Sequence, residues 1–96
     1  MSEVQQVQRV ALVTGGCGGI GSAICQRLAA DGFRVATNYR DEAKALKWQQ
    51  EMKKQGADFA IYKADVAEFD QCQQMISAVE KDFGRLDVIV NNAGIT

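Results

Sequence analysis

The chain has 96 residues, of which 47% are hydrophobic and 24% charged, with a formal net charge of −1. That is room for at most one small domain with a core. It excludes the clustered Lys and Arg of a nucleic-acid binder and, since no apolar run approaches about 20 residues, a membrane span.

The start, Met1-Ser2-Glu3-Val4-Gln5-Gln6-Val7-Gln8, is polar and lacks the basic-then-apolar form of a signal peptide. It reads as a frayed tail, and a cytoplasmic protein is expected. The chain has no histidine and three scattered cysteines, Cys17, Cys25 and Cys72. Free thiols are expected, with no zinc site and no disulfide framework.

Arg9 to Thr14 is a first strand whose core, from Val10, is an unbroken apolar run rich in β-branched residues, the pattern of a strand buried on both faces of a parallel sheet. It breaks into Gly15-Gly16-Cys17-Gly18-Gly19 and re-emerges with helical spacing at Ile20, Ala23, Ile24 and Leu28. Strand, glycine turn and helix form the start of a unit that holds a phosphate at a helix N-terminus. A diphosphate bound by backbone N–H groups must approach closely, where a Cβ would intrude. A tight strand-to-helix turn with no ligand is the alternative. Cys17, near that helix start, reads as a small side chain filling the loop, though a somewhat reactive thiol would also suit the place.

The first helix runs to about Asp31, with Gly32 as its stop. Arg34 to Asn38 is a second strand. Asp41 is placed to cap a second helix running to about Gln55, whose apolar positions are Ala45, Trp48 and Met52. Trp48 reads as a packing residue. Phe59 to Ala64 is a third strand. Phe69, Cys72, Ile76, Val79 and Phe83 mark a third helix, ended by Gly84. Leu86 to Asn91 is a fourth strand, followed by the turn Asn92-Ala93-Gly94-Ile95-Thr96. The alternation predicts an α/β fold: a Rossmann-like parallel sheet with strand order 3-2-1-4.

Three motifs now stand in order: Thr14-Gly15-x-x-x-Gly19-x-Gly21, Asp65-Val66, and Asn91-Asn92-Ala93-Gly94. With them the chain resembles the N-terminal part of a short-chain dehydrogenase/reductase over essentially its whole length. Within that family the glycine loop, the helix after it and Trp48 are most similar to the acetoacetyl-CoA reductase branch. The 3-oxoacyl-acyl-carrier-protein reductases are the close alternative. The resemblance implies an oxidoreductase passing a hydride from a nicotinamide cofactor to the 3-keto carbon of an acyl thioester.

The resemblance also implies roles. Gly15, Gly19 and Gly21 shape the diphosphate loop, and Ile20 lends its backbone N–H. The Asp65 carboxylate takes the adenine amine, while the Val66 N–H donates to the ring. An early N-cap of the third helix is the other reading of Asp65. Asn92, Ala93 and Gly94 border the adenosine and the nicotinamide-side ribose, or tie the fourth strand to its neighbours.

An acid at the end of the second strand favours NAD, and a cation there favours NADP. Asn38 and Tyr39 occupy the positions of that acid, and Arg40 follows. NADP is therefore expected over NAD, with Arg40 on the 2′-phosphate. Asp41 is the rival acid, read instead as a helix cap. The family's other cation, just before the second motif glycine, is replaced by Gly18.

The family's Ser, Tyr and Lys catalytic residues have no counterpart here. Tyr39 and Tyr62 are not followed four residues later by Lys. No residue of this chain is assigned to catalysis or to a metal. The 96 residues read as a truncated piece of one Rossmann domain, inactive alone. Its fourth strand, left at an edge, would pair with a second copy into a homo-oligomer. A non-catalytic, self-associating half-domain is the competing reading. A methyltransferase-type nucleotide binder is disfavoured by Thr14-Gly15 and by Asn91-Asn92-Ala93-Gly94.

Overall fold

A computed structural model of the chain describes residues 8–92. The expected N-terminal tail, through Val7, lies outside them. In chain order the elements are β1 (Val10–Val13), α1 (Gly19–Ala30), β2 (Arg34–Tyr39), α2 (Glu42–Lys54), β3 (Ala60–Lys63), α3 (Phe69–Phe83) and β4 (Val88–Val90).

The strands form one sheet of order β3-β2-β1-β4, and each neighbouring pair is parallel. Leu12 faces Ala36 on one side and Ile89 on the other. This is the expected α/β Rossmann-like topology.

The unbroken apolar run of β1 is explained by its place. Val10, Ala11, Leu12 and Val13 are at most 2% exposed, because β1 is flanked by strands and covered on both faces. Val10 and Leu12 pack with Ala36, Ala64, and Met75 and Val79 of α3. Val13 and Val35 pack on the other face with Cys25 of α1, Trp48 and Met52 of α2, and Phe59. One helix therefore covers one face and two cover the other. Trp48 is a packing residue, as read: its ring stacks on Phe59 at 5.2 Å between centroids, and its Nε1 donates to Ser22 Oγ at 3.0 Å.

Helix ends follow the sequence signals. The Asp41 side chain accepts from the Lys44 N–H at 3.2 Å and caps α2. Gly84, in the left-handed region at φ +77°, stops α3.

Two helix faces differ from expectation. On α1 the buried residues are Gly21 and Cys25, whereas Ile20 is 71% exposed. The helix seats itself through its glycine, which turns Ile20 outward. On α3 the buried pair is Met75 and Val79, and Phe69 is 73% exposed. At about 100° per residue Phe69 lies roughly 80° round the helix from Val79. Among the described residues no helix is long and apolar enough to cross a membrane.

Candidate functional site

All four strands deliver their C-terminal ends to one edge of the sheet. The chain leaves β1 toward β2 and β3 on one side, while β4 lies on the other. That reversal of strand order is where open parallel sheets bind ligands. A cavity of about 470 Å³ sits there. Its first wall is Gly15, Cys17 and Gly18, and its floor is Asn38 to Asp41 at the end of β2. Lys44 and Ala45 of α2 close one side, and Asp65, Val66 and Ala67 form the second wall.

The first wall is bent by two close approaches. Gly15 has φ +69°, a conformation that side chains rarely tolerate. Its carbonyl accepts from the Gly18 N–H at 3.3 Å and from Asn92 Nδ2 at 3.2 Å. Gly21 of α1 lies directly beneath it, where a Cβ would collide with the Gly15 carbonyl and the Gly16 Cα. Gly19 is different: a Cβ there would meet no atom within 4 Å. Nothing in the protein's own packing asks for glycine at that position, and the space beside it is open.

The start of α1 is left electrostatically bare. Gly18 provides no side-chain cap, and the first turn carries no acidic residue. Its N–H groups and the positive end of the helix dipole remain available to an anion. α2, by contrast, is capped by Asp41.

The loop is tied down from three directions. The Gly16 N–H donates to Thr37 Oγ1 at 2.7 Å, and that hydroxyl donates to the Val13 carbonyl at 2.5 Å. The Gly15 N–H donates to Asn38 Oδ1 at 2.7 Å. From β4, the Val90 carbonyl accepts from the Thr14 N–H at 3.0 Å, and Thr14 Oγ1 donates to Asn91 Oδ1 at 3.2 Å.

The second wall is a tight turn. Asp65 Oδ1 accepts from the Ala67 N–H at 2.9 Å, and the Asp65 N–H donates to Gln71 Oε1 at 2.7 Å. The N-cap of α3 is Glu68, without a side-chain bond. Asp65 is therefore not that cap, because its carboxylate folds onto its own turn two residues on.

The cavity carries two cations, Arg40 and Lys44, and two carboxylates, Asp41 and Asp65. Both carboxylates accept backbone N–H bonds. Among the described residues the ion pairs are Arg27–Asp31 and Arg85–Asp87, so neither cavity cation is engaged in one. Burial raises the Cys17 thiol above its ordinary pKa. Burial, with Cys17 nearby, pushes Cys25 up to about 12. Burial therefore weighs against a reactive, acidified thiol at Cys17. Among the described residues no cluster of His, Cys, Asp and Glu is suited to a metal.

Gly15, Arg40, Asp65 and Val66 meet around this cavity. Gly19, Ile20 and Gly21 begin the helix behind the first wall, and Asn92 reaches it through the Gly15 carbonyl. Ala93 and Gly94 lie outside the described residues. Sequence reasoning missed the part played by Thr37 and Asn38, both buried at the end of β2. Two polar residues closing the otherwise apolar stretch Val35-Ala36 were the available signal.

The profile of the short chain dehydrogenase family matches residues 9–96. The chain is 47% identical over 90 residues to acetoacetyl-CoA reductase of Cupriavidus necator, covering 93% of this chain and 37% of that one. It is 45% identical over 94 residues to 3-oxoacyl-[acyl-carrier-protein] reductase of Staphylococcus aureus, covering 95% and 37%. The fold superposes on a crystal structure of a variant actinorhodin polyketide ketoreductase with NADPH at a TM-score of 0.82 and 34% identity, covering 88% of this chain and 33% of that one. The chain spans little more than a third of the length of the curated relatives it matches. With nearly every residue inside the family profile, this chain belongs to the short-chain dehydrogenase family.

Proposed function

We propose that the chain is the N-terminal, cofactor-binding part of a single Rossmann-fold domain in an NADP-dependent reductase of 3-oxoacyl thioesters, of the acetoacetyl-CoA to 3-hydroxybutyryl-CoA type. The observation that carries it is the one cavity into which the glycine loop, Arg40 and the Asp65-Val66 turn all open. Likeness to acetoacetyl-CoA reductases supports the substrate class, and the NADPH and NADP in similar solved structures support the cofactor.

In this reading Gly15, Gly19 and Gly21 shape the diphosphate seat, and the open space beside Gly19 receives it. Ile20 offers its backbone N–H at the uncapped helix start. Arg40, free of other ion pairs, takes the 2′-phosphate through charge-assisted hydrogen bonds. Asp65 and Val66 address the adenine. Asn92, with Ala93 and Gly94, is assigned to the adenosine and the nicotinamide-side ribose. The cofactor supplies a hydride when bound. The acid that protonates the reduced carbonyl is not among these 96 residues, so the chain by itself is expected to be inactive.

Titration of the chain with NADPH and NADH, followed by nicotinamide fluorescence alongside its intact mass, tests this. Saturable binding with NADPH preferred is the expected result. Equal or tighter NADH binding overturns the NADP assignment, and no binding of either overturns the cofactor role of this chain.

A second reading, a non-catalytic module that self-associates, is favoured by the placement of β4 at the sheet edge with Ile89 51% exposed. Edge strands of that kind pair with other chains. Sedimentation at micromolar protein tests it, and a strictly monomeric species sinks it.

A further inference from the structure

Asn38 stands at the end of β2, where an acid would select NAD. The residue is 6% exposed and its side chain is spent inward. Oδ1 accepts from the Gly15 N–H at 2.7 Å, and Nδ2 donates to the Ala64 carbonyl at 3.0 Å. Gly15 opens the first wall of the cavity, and Ala64 directly precedes Asp65 and Val66 of the second. A single planar group therefore spans both walls.

We propose that Asn38 is the positioning residue that sets the distance between the glycine loop and the Asp65-Val66 turn, and that its carboxamide cannot be exchanged for a cofactor-selecting carboxylate without separating them. The proposal rests on the cofactor reading above, and acts through Gly15 and Ala64 rather than through contact with the nucleotide.

The chemistry of the two partners dictates the residue. One is an N–H donor and the other a carbonyl acceptor, so the bridge must accept at one end and donate at the other. A short amide does both in one rigid plane. An ionised aspartate keeps the first bond but sets an anionic oxygen against the Ala64 carbonyl. With so little water access, that repulsion is poorly screened. The charged groups nearby, Arg40, Asp41, Lys44 and Asp65, line the cavity, and no ion pair of the described residues engages Asn38's neighbours Arg40 and Lys44. Thr37 holds the first wall through Gly16 but makes no bond to the second.

Replacing Asn38 with aspartate gives a test that simple packing would not pass, because the two side chains have the same shape. NADP+ and NAD+ binding by N38D is measured by calorimetry from about pH 8 to about pH 5.5, against the unaltered chain at each pH. The deficit must appear with both cofactors, since a carboxylate here would repel the 2′-phosphate of NADP+ alone. At the upper end N38D binds at least about tenfold more weakly. As pH falls the deficit closes, since the protonated acid can donate to Ala64 and still accept from Gly15. Equal affinity at high pH, or a deficit that does not change with pH, overturns the proposal.

Amide hydrogen exchange reads the same coupling without nucleotide. N38D at the upper pH speeds exchange at Asp65 and Ala67, which do not bond to Asn38 themselves. Unchanged exchange there overturns the proposal. If the unaltered chain binds no NADP+, the cofactor reading falls and exchange alone decides whether Asn38 couples the walls. Should N38D not fold, N38S, too short to bridge both partners, carries the exchange comparison.

Discussion

Gly21 packs against the carbonyl of Gly15 so closely that no Cβ can stand between them. Gly19, two residues earlier, faces open space. The two glycines of one motif therefore differ: the protein's own packing demands glycine at Gly21 and makes no such demand at Gly19. Gly21→Ala is expected to lower stability by about 1–3 kcal/mol through overpacking. Gly19→Ala, at the first residue of α1, is expected to leave stability unchanged or raise it by up to about 1 kcal/mol while weakening NADPH binding. Urea denaturation and cofactor titration on both variants separate the two effects.

Arg40 is the cavity cation nearest in sequence to the β2 end. If Arg40 holds the 2′-phosphate as proposed, Arg40→Ser loses charge-assisted hydrogen bonds worth about 1.5–3 kcal/mol, so NADPH affinity is expected to fall by roughly tenfold to a hundredfold. NADH affinity, which involves no 2′-phosphate, should hardly move. Parallel loss of both cofactors would assign Arg40 to general structure instead.

Thiol accessibility provides an independent probe of the cavity. Cys17 lines it, Cys72 lies elsewhere with its thiol toward the Val66 carbonyl at 3.5 Å, and Cys25 is fully buried. In the folded protein Cys17 and Cys72 are expected to react slowly with iodoacetamide and Cys25 not at all. Saturating NADPH should protect Cys17 and spare Cys72, as read by peptide mass mapping. Equal protection of both would indicate a global effect rather than a ligand over the first wall.

Asp87 fastens the approach to β4. Its carboxylate pairs with Arg85 at 2.6 Å and accepts from the Val10 N–H at 2.8 Å. The Arg85 hydrogen bond, then the Val10 N–H, lower its pKa to about 2. A carboxylate depressed in the folded state stabilises above its unfolded pKa, and that contribution fades as pH falls through the folded value. The stability gap between the unaltered chain and Asp87→Asn is therefore expected to be constant above about pH 4 and to shrink toward pH 2. Denaturation midpoints across that range check it.

Leu12 is wholly buried between β2 and β4 and beneath α3. Leu12→Ala is expected to cost about 2–5 kcal/mol, a large part of the stability of any small domain. Thermal melts followed by circular dichroism measure the loss.

Much of this fold was legible because the periodicity changes sharply at the glycine cluster. A short apolar run rich in β-branched residues and ended by glycines fits a strand covered on both faces, and the helical spacing after it marks the connection. Asp41 was legible as a cap because its role is local. Asn38 was not, since sequence shows that a polar residue sits near a cofactor position but not that its partners lie 23 and 26 residues away. Phe69 misled because a stripe of apolar residues marks a helix face without saying how far that face reaches the sheet. Ile20 misled for a related reason: α1 is seated by Gly21, which periodicity ignores, and by Cys25, with Ile24 and Leu28 packed against the same core.

The bonds between Asn92 and Gly15 and between Thr14 and Asn91 join residues 77 apart. A ribosome makes the glycine loop well before the strand that braces it. The loop emerges before its brace, so its shape is finished only when β4 has docked beside β1. Such distant pairings delay folding, because the intervening chain must be ordered before they repay its entropy. In the proposed cofactor reading, a nucleotide that requires the finished loop would stabilise only chains in which β4 has paired with β1. Cofactor capture would then serve as a check on how far folding has gone.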